Sequence, residues 1–278
     1  MQTRQIDLIP FSPEHLDAAV RLSRQAGWPH RPEEWQMSFS LSEGIVAVED
    51  DRVVGTVLVT SYKEDCATIN MVIVDETMRG RGLGRRLMEA ALHIAGNRPL
   101  RLVATAEGLP LYEKFGFRET GRVLQHQGVV GKMTAPAGVE PANPADVAAI
   151  VEVDRGAFGG DRGDLIANIA TIGEFAVIRR DGRVCGYAAV RPFGRGEVIG
   201  PVVAADLDDT KALIAYHIAR RPGRFLRVDA IADTGLGPWL AERGLAHVGD
   251  GIVMMTSVNE PAADVTAATF ALAAQAFG

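Results

Sequence analysis

Ile69-Asn70-Met71-Val72-Ile73-Val74 is followed by Arg79-Gly80-Arg81-Gly82-Leu83-Gly84-Arg85 and then by an amphipathic run that ends at Ala95. The first run is short and rich in β-branched residues, which predicts a strand. In the last, Leu83, Leu87, Ala91, Ile94 and Ala95 return at helical spacing. The predicted unit is therefore strand, glycine turn, helix. Glycines at 80, 82 and 84 permit a tight turn and leave the first N–H groups of the helix uncovered, and such an end attracts anions. Arg79, Arg81, Arg85 and Arg86 add positive charge beside it, which favours a polyphosphate over a carboxylate.

Spacing narrows the choice of phosphate ligand. A dinucleotide fingerprint needs a third small residue where this chain has Leu87, and a Gly-x-x-x-x-Gly-Lys-Ser/Thr run is absent from the sequence. The pattern Arg/Gln-x-x-Gly-x-Gly/Ala does fit, through Arg79, Gly82 and Gly84. Here the sequence resembles the GNAT family of acyl-coenzyme A dependent N-acetyltransferases, in which this loop holds the coenzyme A pyrophosphate. A second match follows in the right order: Leu100 to Ala104 reads as a strand, and Leu111-Tyr112-Glu113-Lys114-Phe115-Gly116-Phe117 reproduces the family's LYxxxGF segment.

The chain has 278 residues, enough for two domains of ordinary size; 47% are hydrophobic and 23% charged, the composition of a globular protein with a substantial core. A net charge of -6 argues against general nucleic-acid binding and makes the arginine cluster a local site on an acidic protein. Cys66 and Cys185 give neither a disulfide framework nor metal spacing, and the six histidines are scattered, so no metal is expected. Neither a signal segment nor a membrane-spanning run is evident, which makes the cytoplasm the expected compartment.

Before the central strand, Ile6 to Pro10 predicts a strand, and Ser12-Pro13 starts a helix with Ser12 as its N-cap. A Pro-rich bend, Gly27 to Pro32, leads to a second short helix through Leu41. Gly44 to Glu49 and Val53 to Tyr62 predict two strands. After the LYxxxGF segment, Glu119 to His126 and Val129 to Thr134 read as an antiparallel pair around Gln127-Gly128. The Pro- and Ala-rich residues 135–143 read as a linker.

The second half repeats the first. Pro144 to Val151 matches Pro13 to Val20, and Arg183-Val184-Cys185-Gly186 matches Arg52-Val53-Val54-Gly55, each 131 residues on; Gly244 and Gly249 match Gly116 and Gly121, 128 on. The expected fold class is α/β (α+β): two tandem GNAT-like mixed-sheet domains with helices on both faces. Residues 1–134 form the cofactor-binding unit and 144–278 a degenerate copy. In that copy Ala205-Asp206-Leu207-Asp208-Asp209 is acidic where the first half has arginines and glycines, and Leu240 stands in the place of Tyr112. The copy is expected not to bind coenzyme A in the family manner and to act as packing partner, substrate wall or regulatory site. Its Asp154-to-Arg162 stretch reads either as an exposed turn or as a loop reaching the acceptor cleft. The Ala-rich tail beyond Asn259-Glu260-Pro261 predicts a C-terminal helix.

The resemblance implies an acetyl-coenzyme A dependent N-acetyltransferase acting by direct attack of an amine on the thioester. Backbone at Val72, Ile73 and Val74 would hold the pantetheine arm, and Arg79, Gly80, Arg81, Gly82, Leu83, Gly84 and Arg85 the pyrophosphate. Tyr112 would protonate the leaving thiolate; its alternative role is to anchor the short helix. Thr105 stands where many members carry an Asn that contacts pantetheine. Where many carry a basic Glu this chain has Thr68, Ile69 and Asn70, so the base is open among relay through Thr68 and Asn70, Glu49, Glu107, or an amine that arrives neutral. Trp28, Trp35 and Asn70 are candidate acceptor contacts, with the tryptophans alternatively stapling the helix pair to the sheet. The acceptor is a small-molecule or peptide amine, neither nucleic acid nor membrane is a partner, and a homodimer is compatible. The rival function is a non-catalytic acyl-coenzyme A sensor.

Overall fold

The computed structural model of the protein describes residues 5–257 and 266–278. The first half runs β1 (Asp7–Pro10), α1 (Leu16–Gln25), α2 (Pro32–Ser40), β2 (Glu43–Glu49), β3 (Arg52–Tyr62), β4 (Cys66–Val74), α3 (Leu83–Ala95), β5 (Leu100–Ala104), α4 (Leu109–Glu113) and β6 (Arg118–Val129). The second runs β7 (Glu140–Pro141), α5 (Val147–Phe158), α6 (Gly163–Ile172), β8 (Glu174–Arg180), β9 (Arg183–Phe193), β10 (Gly196–Ala204), α7 (Leu207–Ala219), β11 (Phe225–Ile231), α8 (Leu236–Ala241), β12 (Ala246–Met255) and β13 (Ala268–Ala271). Element for element the two orders agree through β12, so the duplication read from the sequence is a duplication of structure. The predicted tail boundary at Asn259-Glu260-Pro261 lies outside the described residues.

Helix α3 forms where the apolar spacing requires it. Gly82 is its N-cap at φ 76°, and Leu83, Leu87, Met88, Ala91 and Ala95 are buried, while Gly96 at φ 64° ends it. That buried stripe packs on β2, β3 and β4 in the core of the first half. At the N-terminus, Ser12 caps a 3-10 turn over Pro13–His15 before α1 begins. Among the described residues no helix is long and apolar enough to cross a membrane.

The strands form one mixed sheet in the order β1-β2-β3-β4-β5-β12-β6-β11-β13-β10-β9-β8-β7. The halves interleave. β12 lies between β5 and β6, antiparallel to both, and β6 lies between β12 and β11. Each half's last long strand thus pairs with the fifth strand of the other half. This corrects the hairpin expected around Gln127-Gly128, because β6 runs straight through those residues. Gly128 serves close approach rather than a turn: a Cβ there would fall 2.0 Å from the Gly244 carbonyl oxygen of the neighbouring half.

Two gaps in the sheet have different fates. β4 and β5 pair in parallel only at Ala67–Leu100 and Thr68–Arg101, and then part. β10 and β11 pair only at Glu197–Leu226 and Val198–Arg227, and part in the same way. The first gap is a cleft, whereas β13 fills the second, pairing Ala268, Thr269 and Ala271 with β10 and Ala271 with Ala230 of β11. The Ala-rich tail is therefore a strand followed by a turn, not the predicted helix. Two parted strands leave buried N–H and C=O groups that need partners, and that demand outweighs alanine's helix preference. Gly200 of β10 leaves room for the tail, since a Cβ there would sit 2.0 Å from the Leu272 carbonyl oxygen.

Because β6 leaves β5 to pair with β11, residues 1–134 expressed alone should lack a cooperative thermal transition by circular dichroism, while the full chain melts sharply. A sharp melt of the fragment near the Tm of the full chain would overturn this dependence.

Candidate active site

Where β4 parts from β5 it is also bulged. Leu58 pairs with Asn70 and Thr56 with Ile73, so β4 spends one residue more than β3 across that step. Met71 sits there at φ 50°, and Thr56 Oγ1 donates to its carbonyl at 2.7 Å. The bulge and the parting open a cleft of about 820 Å³. Val72, Ile73 and Val74 line one wall, Val103 and Thr105 the other, and the glycine loop and Tyr112 also border it.

Gly80 and Gly82 take φ of 75° and 76°, with open space where a Cβ would project. The first amide of α3 with a carbonyl partner is Arg86, bonded to Gly82 at 3.2 Å. The N–H groups of Leu83, Gly84 and Arg85 precede it, and all three residues line the cleft. The arginines grouped by sequence divide into two pairs. Arg79 and Arg85 line the cleft, with Arg79 4.0 Å from Glu107. Arg81 turns to Glu49 at 3.1 Å, and Arg86 donates to the Ile6 carbonyl at 2.8 Å. Of the carboxylates considered as a base, Glu107 lines this cleft and Glu49 does not.

Tyr112 is held in α4 with its ring edge-on to Phe117, centroids 6.2 Å apart. It also lies so close to Gly108 that a Cβ there would fall 2.9 Å from the ring. Burial pushes its phenol up to about 12, so it stays protonated at neutral pH. Thr105 Oγ1 accepts from the Gly108 amide at 3.2 Å, which ties the first turn of α4 to the end of β5.

A second cavity of about 290 Å³ meets the cleft at Trp28, Asn70, Met71 and Thr105. Asn70 Nδ2 donates to Thr60 Oγ1 at 2.9 Å, while its Oδ1 is buried without a partner. Trp28 lines both cavities. Trp35 lines neither: it is fully buried, with Nε1 donating to Ser23 Oγ at 2.9 Å and its ring stacked 5.8 Å from Phe11. It is the staple between helices and sheet.

The far wall of this cavity comes from residues that the motif reading missed. Gln125 is supplied by β6, Arg191 and Phe193 by β9, Arg227 by β11, and Asp250 by β12, with Gln275 and Phe277 from the tail. A signal was present in the sequence, because Arg191 follows the apolar run Tyr187 to Val190 and Arg227 and Asp229 put two charges into β11. Within the Asp154-to-Arg162 stretch, residues 159–162 form the turn that joins α5 to α6, with Gly159 exposed, and none of the stretch lines either cavity, although it supports this wall from behind. Helix α5 continues through Phe158, and Arg162, fully buried, binds Asp154 at 2.6 Å and the Gly278 carbonyl at 2.7 Å. Tyr62 adds a bond to the Phe277 carbonyl at 2.8 Å. Among the described residues no cluster of His, Cys, Asp or Glu could hold a metal ion.

Comparison with known proteins fits this geometry. Two family descriptions, each an acetyltransferase (GNAT) domain, match residues 40–119 and 150–267. The uncharacterised N-acetyltransferase YitH of Bacillus subtilis (strain 168) is 30% identical over 256 residues, covering 86% of this chain and 87% of YitH. A candidate acetyltransferase from Pyrococcus horikoshii superposes with a TM-score of 0.81 at 20% identity, over 100% of this chain and 98% of that one. A tandem GNAT protein from the clavulanic acid biosynthesis pathway does so with a TM-score of 0.61 at 15% identity, over 92% and 100%. The chain belongs to the GNAT family as a tandem member. It is an acetyltransferase.

The site also carries a pH signature. Burial lowers His30, in the second cavity, and His217, in the core of the second half, to about 4 from an ordinary 6.5. The unfolded chain binds these protons near pH 6.5 and the folded chain does not, so their contribution to stability is lost as pH falls from about 6.5 toward 4. His30→Gln should therefore lose on the order of 2 kcal/mol less stability than the wild type between about pH 7 and pH 4.5, measured by urea denaturation. Parallel losses in the two proteins would show that His30 is not buried neutral.

Proposed function

We propose that the protein transfers an acetyl group from acetyl-coenzyme A to the primary amine of a small molecule, amino acid or peptide, by direct attack on the thioester. One observation carries this reading: the cleft beside the glycine loop runs into a second cavity at Asn70 and Met71, so a thioester carbonyl and an amine entering from opposite sides can meet there. Residues 1–134 hold the cofactor in this reading. Residues 144–278 supply much of the acceptor wall, and 135–143 link the two.

The residues fit a coenzyme A pyrophosphate. The uncapped start of α3 offers the amides of Leu83, Gly84 and Arg85, the positive φ of Gly82 brings the backbone close without a side chain, and Arg79 and Arg85 supply charge. Acetyl-coenzyme A bound there supplies an activated thioester. Val72 to Val74 present a strand edge on the parted side of β4 for pairing with an extended arm. Backbone N–H groups at the bulge polarise the carbonyl that the amine attacks. Tyr112 keeps its proton at neutral pH and delivers it to the departing sulfur. Asp250 takes the proton lost by the amine. It is the carboxylate lining the acceptor cavity that no arginine binds, and His247 Nε2 holds it at 2.6 Å.

Calorimetry with acetyl-coenzyme A, followed by free-thiol release with a panel of amines, tests this function. Gly82→Asp should abolish cofactor binding, whereas Tyr112→Phe should lower kcat by about 100-fold and leave cofactor affinity within about twofold. Tight binding without thiol release from any amine would return the protein to the non-catalytic sensor.

A further inference from the structure

Arg191 is 1% exposed, and its strand neighbours Ala188, Ala189 and Val190 are core residues. An arginine buried to that degree ordinarily faces a carboxylate. Arg191 does not: Nη2 donates to the Ala273 carbonyl at 3.0 Å, Nη1 has only a 3.5 Å contact with the Pro192 carbonyl, and Nε is without a partner. The carboxylates whose charge reaches it are engaged elsewhere. Glu34 accepts from Arg31 Nε at 2.8 Å. Asp229 is held by Nε and Nη2 of Arg227, both at 2.9 Å. Burial lowers the Arg191 guanidinium to about 10, which still leaves it charged at neutral pH.

Arg191 therefore brings a positive charge that no carboxylate pairs, and it lines the acceptor cavity rather than the cofactor cleft. Acetyl transfer as derived above makes no use of it. Arg227 stands beside Arg191, the guanidinium carbon of each 5.1 Å from the Phe193 ring, but Asp229 already neutralises Arg227. One unmatched positive charge suits a monoanion better than a dianion. A planar guanidinium with free N–H groups suits a planar oxyanion. Asp250 gives the same cavity an acidic group for an ammonium, and about 290 Å³ admits a small molecule rather than a folded surface.

We infer that the acceptor is a small amine that also bears a carboxylate, as an amino acid does, and that Arg191 receives the carboxylate while the amine faces Asn70. This rests on the acetyl-transfer reading of the same cavity. The second half then acts as the specificity wall of a reaction catalysed on the first.

The test pairs each common L-amino acid with its carboxamide and its decarboxylated amine, using the full chain and acetyl-coenzyme A. The wild type should use at least one amino acid with a kcat/KM about 100-fold above that of its amide. Arg191→Met should erase that preference by raising KM for the acid about 100-fold, so that acid and amide are used alike, with cofactor affinity unchanged. Equal use of acid and amide by the wild type would overturn the inference and leave acetyl transfer standing, and that comparison needs no variant to fold. A second arm needs no turnover: N-acetyl amino acids and their amides are titrated calorimetrically in the presence of coenzyme A. Selective binding of the acids, lost in Arg191→Met, without thiol release from any amine would keep the carboxylate site and sink the transferase reading. Absence of any acid-over-amide preference in both arms would overturn the carboxylate site.

Discussion

The parting of two parallel strands is the constraint on which this structure turns. After Thr68 the β4 backbone leaves β5, and after Val198 β10 leaves β11. Each parting strips a row of peptide groups of their ladder partners inside the protein, and such groups must find others. The second half meets the need from within the chain, by inserting β13. In the first half the row borders an open cleft, and a ligand with an extended polar arm is the natural replacement. The glycine turn and the bulge at Met71 both lie along this cleft, which is why motif, strand defect and cavity coincide.

Interleaving explains how a copy without the cofactor motif stays tied to the site. β6 and β12 cross into each other's half, so the sheet is continuous and the second half is fixed against the first by backbone ladders rather than by a movable interface. Gln125 and Asp250 are carried to the second cavity on these crossing strands, while Arg191 and Arg227 arrive on β9 and β11. The tail that fills the second gap continues past it to line the same cavity, and the buried Arg162–Asp154 pair and Tyr62 hold its end. Plugging one site and walling the other are thus done by one segment.

Local chemistry was legible in the sequence and long-range pairing was not. Leu83 to Ala95 announced α3 by its spacing, Gly82 its open start, and the offset of 131 residues the repeated β3 and β9, whose ranges correspond residue for residue. Gly128 misled because glycine serves both a turn and close backbone approach, and only the position of Gly244 in the other half decides between them. Ala268 to Ala271 misled because strand pairing there is dictated by β10 and β11, distant in sequence. Trp35 could not be separated from Trp28 by residue type, since burial of Trp35 of α2 against Phe11 and entry of Trp28 into a cavity are decided by tertiary packing. Arg191 was visible as a charge following an apolar run, but its meaning depends on Glu34 and Asp229 being occupied, which no local pattern records.

The paired helices α3 and α7 show what the site gives up in stability. In α7 Asp206 caps the helix, its carboxylate accepting from the Asp209 amide at 2.9 Å, and Asp209 in turn binds Arg180 at 2.8 Å. The corresponding start of α3 has a left-handed glycine with no side-chain cap. Glycine in place of a capping side chain costs only a few tenths of a kcal/mol, so leaving the first amides of α3 bare for the proposed pyrophosphate is a small sacrifice. The wall of the second cavity repeats the pattern at greater cost, because an unpaired guanidinium in the interior is destabilising until an anion meets it. Both departures lie on the same pair of joined cavities, one at each end. In the second half the matching gap is filled and the matching helix is capped. The uncapped helix and the unfilled gap belong to the first half, whereas the unpaired guanidinium is brought to the same joined cavities by β9 of the second.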